Sequence, residues 1–173
     1  MGYIIPTLKA LFLPSSDYNC CVPELRDYRP QDFQRVLEID KACFVAGIAY
    51  SASELRHFLN RPGAIGIVCE TAGKIQGFVI AEHFHSRRSE QRVGRIITID
   101  VLPDAQRSGL GSLLLKAAEQ KVQEAGAGYV SLETAVDNLS ALCFYKKHGY
   151  VVLKILPNYY LDSIDALLMG KKL

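Results

Sequence analysis

The chain has 173 residues, 49% of them hydrophobic, with 20 Lys and Arg against 18 Asp and Glu. That length suits one domain that buries about two-thirds of its unfolded surface. The net charge of +2 is too small to argue for nucleic acid or an anionic membrane, and no apolar run reaches the ~18 residues of a membrane-spanning helix. The five cysteines, Cys20, Cys21, Cys43, Cys69 and Cys143, show no C-x-x-C and no framework spacing, so reduced thiols in a cytoplasm are expected.

In chain order, residues 1–21 read as an N-terminal extension and 22–173 as a single domain. Tyr3 to Leu13 is apolar, but Pro6 and Lys9 interrupt it and no leader cleavage pattern frames it, so it should pack on the domain. Pro30-Gln31-Asp32 opens a helix that turns Phe33, Val36, Leu37 and Cys43 inward. Ser51-x-x-Glu54 is a capping box before Leu55, Phe58 and Leu59, and Pro62-Gly63 ends that second helix. Two strands, Ala64 to Thr71 and Ile75 to His83, join through Ala72-Gly73-Lys74. Phe84 to Arg92 reads as a polar loop and Val93 to Val101 as the central strand. His83 and His85 alternate and could share a strand face, but no third ligand is in view and no metal site is expected.

Gln106-Arg107-Ser108-Gly109-Leu110-Gly111 then connects that strand to a helix with Leu110, Leu113, Leu114, Ala117, Val122 and Ala125 as its apolar positions. Strand, two glycines one residue apart and a helix N-terminus form an arrangement that holds a pyrophosphate. The first N–H groups of a helix lack internal partners, and the helix dipole adds roughly half a positive charge there. Gly109 and Gly111 let phosphate oxygens approach where a Cβ would stand. A dinucleotide fold is disfavoured, because Gln106 occupies the place of the first glycine. Gly126 and Gly128 stop the helix, and Tyr129 to Thr134 is the next strand. Asp137-Asn138 caps a helix that ends near Gly149, and Tyr150 to Leu156 and Ala166 to Lys171 are the last strands. The order helix–helix–strand–strand–strand–helix–strand–helix–strand–strand predicts an α/β fold with a single mixed sheet.

Gln106, Gly109 and Gly111 after a strand, then Leu132-Glu133, Asn138, Ala141, Tyr145 and Gly149-Tyr150, resemble the GNAT superfamily of N-acetyltransferases. The tail Asn158-Tyr159-Tyr160, Asp165-Ala166 and Met169 is similar to the ribosomal-protein alanine N-terminal acetyltransferase branch. The resemblance implies a mostly antiparallel sheet flanked by helices, whose central strands splay to admit the pantetheine arm of acetyl-CoA. It implies an acetyl-CoA site at Ile99, Asp100 and Val101, at Gln106, Arg107, Ser108, Gly109, Leu110, Gly111 and Ser112, and at Asn138, Ala141 and Tyr145. It further implies Glu133 as general base and Tyr145 as the acid that reaches the CoA sulfur, with Phe44, Tyr50, Glu133 and Tyr159 around the acceptor. The chain departs from that branch in three places. Asp100 stands at a position that is usually small or apolar, Thr134-Ala135 replaces valine-arginine, and Phe44 to Ser51 lacks the usual proline and tryptophan.

Acetyl transfer to an amine needs an ammonium deprotonated, an oxyanion stabilised and a thiolate protonated. An α-amine near pKa 8 needs less help than a lysine near 10.4. Glu133 reads as that base or as one half of an ion pair. Tyr145 lies about two helical turns beyond Asn138, and Phe144 and Tyr145 should face apart, one in the core and one free. Asn138 could cap its helix, bind the pantetheine arm, or both. Cys143 lacks a histidine partner, since His148 at i+5 faces elsewhere, and is expected to be a buried core cysteine. Asp100 should contact the acceptor ammonium or face solvent. The leading expectation is acetylation of a protein or peptide α-amine, with a homodimer left open. The alternatives are a small amine (polyamine, amino acid or antibiotic), a non-catalytic acyl-CoA-binding module, and a nucleotide-binding regulatory domain.

Overall fold

The computed structural model describes residues 22–44, 48–86, 91–160 and 163–173; the expected extension at 1–21 lies outside them. Its strands are β1 (Glu24–Asp27), β2 (Ala64–Thr71), β3 (Lys74–His85), β4 (Arg92–Val101), β5 (Tyr129–Ala135), β6 (Val151–Tyr160) and β7 (Ile164–Lys172). The helices are α1 (Phe33–Cys43), α2 (Ala52–Leu59), α3 (Leu110–Glu124) and α4 (Leu139–Lys147). All the strands join one sheet in the order β1-β2-β3-β4-β5-β7-β6. Each pairing is antiparallel except β4 with β5.

Strand β3 shows how the sheet organises two cores. Side chains alternate across a strand, and Val79 and Ala81 face α3 while Phe78 and Ile80 face α1 and α2. On the α3 side, Leu110, Leu114, Leu115, Ala118 and Val122 form the buried stripe. Leu113, expected to face inward, lies off that stripe and is exposed. On the other side, Val36, Ile39 and Leu55 close over Val68 and Phe78. The capping box that starts α2 is present, with the Glu54 N–H donating to Ser51 Oγ at 3.2 Å and the Ser51 N–H to Glu54 Oε2 at 2.8 Å.

The described fold opens with a strand, not with a helix as expected. Glu24-Leu25-Arg26-Asp27 carries no apolar alternation, and it is an edge strand. Arg26 fixes it by pairing with Asp32 and Glu70. The segment read as a loop from Phe84 is also shorter, because β3 runs to His85 and β4 begins at Arg92. No described helix is long and apolar enough to cross a membrane.

What positions the site is the loss of pairing between β4 and β5. Their ladder contains Gly94 opposite Val130 and Arg95 opposite Ser131, and no further rungs. On the other edge of β4 the register with β3 shifts between Ile80 and Ala81, so that Ile97 is an extra residue. A bulge of this kind bends the strand that carries it. Beyond Arg95, β4 swings away from β5 towards the start of α3.

Candidate active site

The splay opens into a cleft of about 530 Å³ between the end of β4, the N-terminus of α3 and the face of α4. Gly109 is the residue before α3 and sits at φ 92°, a left-handed conformation that glycine adopts freely. Arg107 takes the same region at φ 61°, so the backbone turns left-handed twice within three residues. None of the N–H groups from Arg107 to Ser112 donates to a described residue. A Cβ built on Gly109 would meet nothing within 4 Å, and one on Gly111 would touch only the Phe144 ring at 3.5 Å. Here the glycines leave room for a ligand and not for protein packing. Gln106 anchors the loop by donating from Nε2 to the Val101 carbonyl at 3.0 Å.

Of the residues expected to hold acetyl-CoA, Ile99, Asp100, Val101, Gln106, Arg107, Gly109, Gly111, Ser112, Asn138, Ala141 and Tyr145 line this cleft. Ser108 instead turns its hydroxyl back to the Ala105 carbonyl at 2.6 Å, and the Leu110 side chain is buried in the core. Asn138 caps α4, its Oδ1 accepting the Ala141 N–H at 3.1 Å.

Phe144 and Tyr145 do not divide into core and free as expected. Their rings pack edge to face at 5.2 Å and both border the cleft, since neighbouring helical positions lie about 100° apart and a curved wall can meet both. The Tyr145 hydroxyl makes no hydrogen bond to a described residue. Burial, followed by the influence of Asp100 and Tyr160, raises its ionisation well above the ordinary phenol value. It therefore carries its proton at neutral pH.

Glu133 lies on β5 beyond the last rung with β4. Its Oε2 accepts from Arg95 Nε and Nη2, each at 3.0 Å, while Oε1 makes no hydrogen bond to a described residue. Arg95 also reaches Glu82 at 3.9 Å, and Arg61 binds the other Glu82 oxygen at 3.0 Å. A ladder of alternating charge thus crosses β3, β4 and β5.

Asp100 does not face solvent. It is 1% exposed, and Thr98 Oγ1 donates to its carboxylate at 3.0 and 3.1 Å. Burial, then the neighbouring Asp40, raises its pKa to about 8. Burial also lifts Asp40 to about 6, against the Tyr50 N–H, which donates to its Oδ2 at 2.9 Å.

Among the residues expected around the acceptor, Phe44 lines the cleft beside Cys43. The Tyr50 ring meets Phe58 edge on at 5.3 Å, and burial, then Tyr160, raises its phenol. Tyr159 packs edge on against Tyr160 at 5.0 Å, and the Tyr160 hydroxyl donates to the Glu133 carbonyl at 3.5 Å. The sequence reading missed Arg95 and Asp40, and named Tyr160 only as part of the aromatic tail. Arg95 sits directly opposite Glu82 in the ladder, and a polar residue amid apolar neighbours on the central strand was the available signal. Asp40 had none, because a polar residue near a helix end usually meets water.

Cys143 is exposed on α4, not buried as expected; the helix turns its neighbours Phe144 and Tyr145 to the cleft and leaves position 143 outside. His148 stacks on Phe144 at 4.4 Å. His85 Nε2 lies 3.1 Å from Arg92 Nη2, and the described residues contain no group of three or more metal-binding side chains.

Residues 33–150 match the acetyltransferase (GNAT) family. The chain is 31% identical to an uncharacterized N-acetyltransferase of Methanocaldococcus jannaschii, over 86% of this chain and 90% of that one. It is 28% identical to an N-alpha-acetyltransferase of Sulfurisphaera tokodaii, over 86% and 92% of the two chains. Among solved structures it is similar to Ard1 from Thermoplasma volcanium, 29% identical with a TM-score of 0.77 over 87% of this chain and 97% of that one. A splayed sheet, a run of unpartnered N–H groups and a protonated tyrosine at one cleft meet the demands of acyl transfer, and the chain belongs to the GNAT acetyltransferase family of acyltransferases.

Proposed function

We propose that the chain transfers the acetyl group of acetyl-CoA to the α-amine of a protein or peptide N-terminus in the cytoplasm. The observation that carries this reading is the unpartnered run of N–H groups from Arg107 to Ser112, opening into a cleft that ends at Tyr145 and Asp100. Empty space beside Gly109 fits a pyrophosphate, and Arg107 and Lys147 add positive charge to the lining. The acceptor assignment draws support from the relatives named for N-alpha acetylation and from the three tyrosines, Tyr50, Tyr159 and Tyr160, that gather beside Glu133.

Bound acetyl-CoA supplies the acetyl group as a thioester. Glu133, with Oε1 open, takes a proton from the acceptor ammonium directly or through one water and frees the nitrogen lone pair. The N–C bond forms as the C–S bond breaks, and sulfur leaves with the electron pair. Tyr145 gives its proton to that sulfur and receives the second proton of the nitrogen, so the phenol is restored. Because burial raises the Tyr145 phenol above its reference value near 10 while a thiol lies near 8.5, the transfer is uphill and is drawn forward by the nitrogen's proton, and Glu133 releases its own proton to solvent.

Free thiol release should be followed with acetyl-CoA and three acceptor sets: peptides with free N-termini, the same peptides blocked at the N-terminus, and small amines. Release with the free peptides alone is expected. Release with small amines alone overturns the assignment.

A further inference from the structure

Asp100 and Asp40 form a buried acidic pair without a counter-charge. Asp100 borders the cleft and Asp40, at 0% exposure, stands behind it on α1. The Tyr50 N–H occupies Asp40 Oδ2, and Oδ1 is buried with no partner. The groups that face Asp100 are Asp40 and Cys43 from α1, Tyr50 from the segment before α2, and Tyr145 from α4. None of them is basic. Lys41 acts on Asp40 only as the weakest of its influences, and Arg95 is committed to Glu133.

Buried with no cation, Asp100 keeps its proton near neutral pH, and it can ionise there only beside a cation that a ligand brings. A metal ion is disfavoured, because no described group offers three or more metal-binding side chains. The cation that enters a cleft of this family alongside the thioester is the amine to be acetylated. We propose that Asp100 is the subsite for the acceptor's ammonium group, backed by Asp40. This deepens the proposed function and rests on it.

The chemistry has a signature that packing alone would not produce. Near pH 7 a free α-amine, with a pKa near 8, and Asp100, with its raised value of about 8, each hold a proton. Joined, the two share one proton, as ammonium–carboxylate or as amine–carboxylic acid, and the other leaves to solvent. Well above pH 8 both partners arrive without a proton, and the pair takes one up.

The test is calorimetry of a peptide with a free N-terminus binding to the enzyme loaded with CoA, so that no turnover occurs, in buffers of unlike ionisation enthalpy. The wild type should release close to one proton at about pH 7 and take one up at about pH 9.5. Asp100→Asn should lose most of both, raise KM for the peptide about tenfold or more, and change kcat less than about threefold. A wild type that exchanges no proton on binding the peptide overturns the subsite without any variant. So does an Asp100→Asn enzyme with wild-type proton counts and KM. Failure of the wild type to acetylate any peptide would instead overturn the function on which the subsite rests, and the subsite with it.

Discussion

The two ends of the cleft are built differently. At the donor end the working groups are backbone N–H groups of six successive residues, Arg107 to Ser112, held by two left-handed turns and the start of α3. At the acceptor end they are side chains from separate elements: Asp100 from β4 and Tyr145 from α4 line the cleft, while Asp40 from α1 and the Glu133–Tyr160 pair from β5 and β6 stand outside its lining. The donor end presents no buried carboxyl, whereas the acceptor end holds two and a guanidinium already paired. A nucleotide carrier can be held by local backbone geometry. Moving protons between an amine and a thiolate needs titratable groups whose surroundings are set by the whole fold.

The contrast predicts where substitutions act. The largest effects should come from the acceptor end and appear in turnover. Tyr145→Phe removes a hydroxyl that bonds to no described residue, so it should cost little stability while lowering kcat roughly 10²-fold, with acetyl-CoA affinity near wild type. Full turnover in steady-state assays would reduce Tyr145 to packing. Glu133→Gln should lower kcat/KM on the order of 10²-fold at neutral pH, the loss shrinking as pH passes the acceptor's own pKa. A constant ratio to wild type between about pH 6.5 and 9.5 would mean that Glu133 acts by shape and not as a base.

Substitutions at the donor end should appear in binding. Gly111→Val places methyl groups where phosphate oxygens approach and should weaken acetyl-CoA at least about tenfold, about 1.4 kcal/mol. Gly109→Val adds backbone strain at φ 92°. Unchanged affinity by calorimetry in both variants would remove the loop from the site.

The smallest effect is on stability. Burial raises Asp40 to about 6 and Asp100 to about 8, above the ordinary carboxyl value of 3.8. From about pH 4 to pH 8 the native state therefore holds more protons than the unfolded chain, and stability falls as pH rises. Thermal melts should show Asp100→Asn losing part of this slope and exceeding wild-type Tm by a few degrees near about pH 8, at roughly 2–4 °C per kcal/mol. Parallel curves for the two proteins would place the pH dependence elsewhere.

The same division decides what could be read from the sequence. The loop was legible because strand, glycines and helix are contiguous, and the Ser51–Glu54 box and Asn138 cap were legible for the same reason. The two strand-like runs on either side of Ala72-Gly73-Lys74 marked the β2–β3 hairpin, while Glu24–Asp27 escaped because an edge strand without an apolar face leaves no periodic trace. Glu133 and Tyr145 became candidates through the family resemblance. The Arg95 pairing, the burial of Asp100 and its neighbour Asp40, and the exposure of Cys143 depend on which helix covers which face, and no local pattern encodes that.

Everything in the cleft is read as serving acetyl transfer to a polypeptide α-amine. The most direct measurement is tandem mass spectrometry of a peptide library, containing both free N-termini and lysines, after incubation with the enzyme and acetyl-CoA. Acetyl groups are expected on first-residue nitrogens and not on lysine side chains, and none with the Tyr145→Phe enzyme over the same interval. Acetylation confined to lysines, or none in a library the enzyme is shown to bind, would contradict it.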